Sequence, residues 1–107
     1  MAGQLYAATG TTRSPSSGFP MPKGDFNLTI VGDGSASGTV TLQRRFTSDD
    51  SPTWQTVSLD AGGTPATFNV VNNTVSFDGV LFEPESGVEY SLLPQLSAGT
   101  VNWRVGQ

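Results

Sequence analysis

The sequence predicts an all-β protein: an antiparallel β-sandwich or small barrel of six to seven strands, preceded by an extended N-terminal arm. Three observations carry that expectation. From Asp25 onward apolar residues recur with period two, and no window keeps the 3.6-residue period of a helix. Clusters of Gly, Pro, Asn, Asp and Ser interrupt the pattern often, as in antiparallel sheets built from short strands. Residues 1–24 lack both the period and the acids of residues 25–107.

The arm comes first. Ala8 to Gly18 contains no apolar residue larger than Ala, so burial alone offers little to offset its ordering entropy. Its charged side chains are Arg13 and Lys23, whereas all nine acids lie in residues 25–107. A slightly basic arm therefore precedes an acidic body. The arm either frays or orders against a neighbouring subunit, with Leu5, Tyr6, Phe19 and Met21 as anchors and Arg13 as its charge.

In the body, Phe26, Leu28 and Ile30 alternate with Asn27 and Thr29, and Gly32–Gly38 reads as a turn. Val40, Leu42 and Phe46 mark the next strand. Trp54 to Leu59 follows, then a Gly62-Gly63-Thr64-Pro65 loop and a strand from Thr67 to Val71. Asn72-Asn73 turns into Val75-Ser-Phe77, where Gly79 suggests a bulge before Val80 to Phe82. Glu83 to Gly87 turns into Tyr90-Ser-Leu92, and Ser97-Ala-Gly99 turns into Val101, Trp103 and Val105. Ser37-Gly-Thr-Val40 and Ala98-Gly-Thr-Val101 echo one another, which reads as two similar turns entering neighbouring strands.

Composition narrows the function. There is no Cys and no His, which removes disulfides, thiol nucleophiles, Ser-His-Asp triads and histidine metal sites. Five basic residues and a pI near 4.3 make nucleic acid a poor partner. No apolar run approaches a membrane span, and no secretory signal is visible, so no membrane partner is expected. The charged fraction is only 13%, about half the usual share, while Gly, Ser and Thr number 38 of 107 residues. The surface is thus expected to be polar with little charge.

Several residues are candidates for chemistry. Parity places Arg44 with Val40, Leu42 and Phe46 on the core face, and Arg45 on the other. A guanidinium there needs a carboxylate, from Asp49, Asp50, Asp78 or Glu83, or must reach the rim. The expectations are a bulge turning it outward, an ion pair at the sheet rim, or a salt bridge between subunits. Thr47-Ser-Asp49-Asp50-Ser-Pro-Thr53-Trp54 resembles the Asp-box turn of sialidases and other β-proteins, with Ser51 where that box has Gly. Such boxes fasten hairpins, which makes Thr53 and Trp54 structural. The pairs Glu83/Glu85 and Asp49/Asp50 sit within single loops, poorly placed to face each other across a glycoside, so no enzyme activity is expected. Asp33 and Asp49/Asp50 show no EF-hand spacing, and neither a metal nor any other cofactor is expected. Trp54, Trp103, Tyr6 and Tyr90 would be the aromatic platform of a carbohydrate-binding module.

Gly38-Thr-Val-Thr-Leu-Gln-Arg-Arg-Phe46, the acidic turn into Thr53-Trp54, and Ser97-Ala-Gly-Thr-Val-Asn-Trp-Arg-Val-Gly-Gln107 together resemble small β-rich virion proteins of tailed bacteriophages. The resemblance covers residues 26–107; Ser51-Pro52 departs from the Gly-rich turn of that pattern. It implies a capsid decoration (cement) protein on the exterior of the virion, made in the host cytoplasm. Its partners would be the major capsid protein and neighbouring copies of itself, as a homo-oligomer with a trimer favoured. A neck or tail component is the next virion role.

Overall fold

The structure, a computed structural model, describes residues 7–14, 18–46, 53–60 and 62–107. It is all-β, with seven antiparallel strands in one sheet that does not close into a barrel. The strands are β1 (Ala7–Thr12), β2 (Phe19–Met21), β3 (Gly24–Phe46), β4 (Gln55–Thr56), β5 (Thr67–Val71), β6 (Val75–Glu83) and β7 (Val88–Gly106).

Two long strands form the spine. β3 has 23 residues and β7 has 19, and they pair along most of their length, from Asn27↔Gly106 to Phe46↔Val88. Each is bent in the middle, so the ribbon gives two layers. The first holds β6, residues 24–33 of β3, residues 100–106 of β7, and β1. The second holds β4 and β5, residues 37–46 of β3, residues 88–98 of β7, and β2. Three aromatic contacts join them: Phe26 edge-on to Tyr90 at 5.4 Å, Phe19 stacked on Trp103 at 4.8 Å, and Phe68 stacked on Phe77 at 4.6 Å. This is a sandwich made by folding one sheet over.

The bend corrects the turns expected at Gly32–Gly38 and Ser97–Gly99. A hairpin would lay residues 26–30 beside 40–46, yet both segments stay paired to β7. Instead the register slips. Residues 34–36 of β3 face the single residue Gly99 of β7, and Ser97 is an extra residue opposite the step from Ser37 to Gly38. One extra residue reverses the side-chain alternation. Hence Val88, Tyr90 and Leu92 face inward before the bend, and Val101, Trp103 and Val105 after it.

The echoing Gly-Thr-Val segments meet at this bend. Gly38 has φ +142°, and a Cβ there would stand 2.2 Å from the Gln95 carbonyl oxygen. Gly99 has φ +77°, and a Cβ would lie 2.5 Å from the Ala36 backbone and the Asp33 carbonyl. Only glycine allows the two strands to cross this closely. Gly79 is not the bulge: it pairs regularly with Leu28, and the slip in β6 falls between Phe77 and Val75.

The N-terminal residues also differ from expectation. β1 runs along β7 from Ala7↔Gly106 to Thr12↔Val101, and β2 pairs Phe19 with Tyr90 and Met21 with Val88. Phe19 and Met21 belong to the buried core of their own chain. The described part of the arm is therefore sheet, continuous with the body across Gly24/Asp25. Backbone pairing supplies what small side chains could not: strand edges of β7 take up the N–H and C=O groups of an Ala/Thr/Gly segment.

Candidate functional site

The sheet stays open along one side, where β6 of the first layer faces residues 55–60 of the second. β6 pairs with β3 alone, so its other edge carries no ladder among the described residues. Two adjoining grooves run along this seam. One, of about 310 Å3, lies between residues 57–60 and Val80–Phe82, with Asp25 and Asp60 contributing to its lining. The other, of about 270 Å3, passes Gln55–Ser58, Phe82 and Pro84 and reaches Arg44, Glu83 and Tyr90.

Those last three residues form a buried polar cluster that register explains. Arg44 and Tyr90 are direct cross-strand partners, both facing inward, and Glu83 arrives from the end of β6 opposite Gly24. The Glu83 carboxylate is fully buried. It accepts from Arg44 Nε at 3.0 Å and Nη2 at 2.8 Å, from the Tyr90 hydroxyl at 2.7 Å, and from the Glu85 backbone N–H at 2.9 Å. A bidentate guanidinium with two further donors is what a buried carboxylate needs to remain charged. Glu85 adds a second, looser contact to Arg44 at 3.8 Å. Burial works against the Arg44 charge, but the hydrogen bond and charge of Glu83 outweigh it and hold the guanidinium above its ordinary value. Burial pushes the Tyr90 phenol upward as well, and its bond to the Glu83 carboxylate adds to the shift.

Arg44 is thus paired within its own chain, to Glu83 among the four candidate carboxylates, and does not take the outward bulge. Arg45 lies on the other face beside its register partner Glu89, donates Nε to that carboxylate, and stacks over Trp54 with 4.2 Å from guanidinium to ring centroid. Thr53 is exposed. Asp49 and Asp50, with the rest of the Asp-box-like turn before Thr53, lie outside the described residues. Leu5 and Tyr6 do too. Arg13 is exposed and donates to the Ser97 carbonyl at 3.3 Å.

Among the described residues Trp54, Trp103 and Tyr90 do not form an aromatic platform; Tyr6 lies outside them. Trp103 and Tyr90 are buried, and Trp54 is covered by Arg45. Among the described residues, no group of three acidic, His or Cys side chains could hold a metal.

The seam's outer side is what pattern reading missed. Val80 and Phe82 are 63% and 60% exposed, on the outward face of β6, although their alternation resembled that of core residues. The burial of Glu83 shows the parity in the structure: Leu81 shares its inward face, and Val80 and Phe82 face out. Val71 and Val75 are also exposed, flanking the Asn72-Asn73 turn. Neither a family model nor a curated protein matches the chain.

Proposed function

We propose that this chain is a structural subunit of a tailed-bacteriophage virion, bound to the outside of the assembled shell as a decoration protein. The resemblance across residues 26–107 supports the virion assignment. The observation that carries the binding role is the open edge of β6, with Val80 and Phe82 exposed on a chain of scarce charge. Apolar side chains beside an unpaired strand edge are a contact surface, since a free strand edge otherwise invites indiscriminate pairing.

The mechanism rests on copy number. Each subunit would bury a modest apolar patch, and weak contacts repeated over a symmetric lattice sum to a stable coat. A body with its polar network locked inside and few surface charges suits that task. Purified chain mixed with shells of the major capsid protein should co-sediment with them and raise their disassembly temperature. Failure to bind shells while binding isolated necks or tails would move the protein to those structures.

A further inference from the structure

We infer that the seam between β6 and residues 55–60 is a strand-addition site for an extended segment of a partner protein that alternates apolar residues with Lys or Arg. Three observations lead there. β6 is nine residues long, pairs on one side only, and is the longest such edge in the sheet as described. Its length contains neither Pro nor Lys, the residues that commonly blunt an exposed edge. The gap beside it is a groove of about 310 Å3 lined by Val57, Leu59, Leu81 and Phe82.

Charge selects the occupant. Asp25 pairs across from Phe82, Asp78 lies on β6 itself, and Asp60 lines the same groove as Phe82. Glu83 and Glu85 close the seam at one end, and Arg44 there is already held by Glu83. With Glu83 neutralised by Arg44, the seam's remaining acids are Asp25, Asp60, Asp78 and Glu85, against Lys23 beside Gly24 at the Glu83 end, so acids outnumber cations along it. A second copy placed edge to edge would bring these carboxylates together, and like charges opposed across strands destabilise pairing. A segment carrying cations would set them on the outward face beside Asp78 and Asp25, their aliphatic stems lying along Val80 and Phe82, while its apolar residues, all on the other face, meet Leu59 and Leu81. Main-chain bonds to β6 give affinity, and the alternation gives register.

The probe is a labelled eight-residue peptide of alternating lysine and valine, N-methylated on alternate amides so that it cannot pair with itself. Fluorescence anisotropy with the full chain should show binding that weakens with salt. A glutamate-valine counterpart should bind about tenfold or more weakly, and Phe82→Ser should weaken the lysine peptide by about the same factor. Phe82 is exposed, so that variant should keep its fold; amide shifts in the unsubstituted protein give a second readout and should cluster at residues 55–60 and 78–84. The inference is overturned if the lysine peptide does not bind, if both peptides bind equally, or if the shifts cluster elsewhere. It is also overturned if sedimentation equilibrium shows a dimer that Phe82→Ser converts to monomer, because the occupant is then a second copy.

Discussion

Glu83 ties the end of β6 to the ribbon of β3 and β7. Its carboxylate has no access to solvent, so its stability rests on Arg44, Tyr90 and the Glu85 N–H. Removing one partner leaves the other stranded: Arg44→Met leaves a fully buried carboxylate unpaired and should cost about 3 kcal/mol in urea unfolding. Arg44 retains some solvent contact and can rehydrate, so Glu83→Ala should cost less, and the double variant less than the sum of the two. Tyr90 adds a pH dependence. Its folded value lies above the unfolded one of about 10, so its contribution is complete below that pH and is lost as pH rises toward the folded value. The melting temperature should therefore fall above pH ~10, and less steeply in Tyr90→Phe. The need of Arg44 for a carboxylate was legible from strand parity and the cost of a buried charge, which left Glu83 as one of four candidates. Tyr90 was not, because its place beside Arg44 depends on a register set across more than 40 residues of chain.

The bent strands are held by sequence features that read differently alone and in context. Gly32–Gly38 and Ser97–Gly99 carry the chemistry of turns, and they do redirect the chain. Local residues cannot distinguish a hairpin turn from a bend in a strand, since both need the same glycines; the distinction lies in what remains paired. Gly99→Ala should cost about 2–4 kcal/mol, from an unfavourable backbone conformation plus a clash with Ala36 and Asp33. The N-terminal strands obey the same logic. Their side chains gave no period, because β1 is attached through its backbone to β7 and contributes little apolar surface. Phe19 is the exception, stacked on Trp103 inside the core, and Phe19→Ala should cost about 3 kcal/mol in the same urea titration. A cost below about 1 kcal/mol would mean that β2 contributes little to the body. Deleting residues 2–22 should likewise destabilise the monomer, since it removes β1 and β2 together.

At the scale of the molecule, fold class was legible throughout, because period two and frequent turns define an antiparallel sheet whatever its connections. The open seam was not legible. Whether seven strands close into a barrel or stop at an edge depends on shear and bending, which period and turn chemistry do not encode. The seam is nonetheless where apolar residues stand exposed, acids gather and, among the described residues, a strand edge carries no ladder, and it is the surface through which the proposed coat subunit would act. For the proposed virion role, the most direct measurement is the number of copies per particle, by quantitative mass spectrometry of virions purified from cells that carry the coding sequence. A shell decoration protein should be present in hundreds of copies, in fixed ratio to the major capsid protein. About a dozen copies would place it at the neck, and its absence from the particle would contradict a virion role altogether.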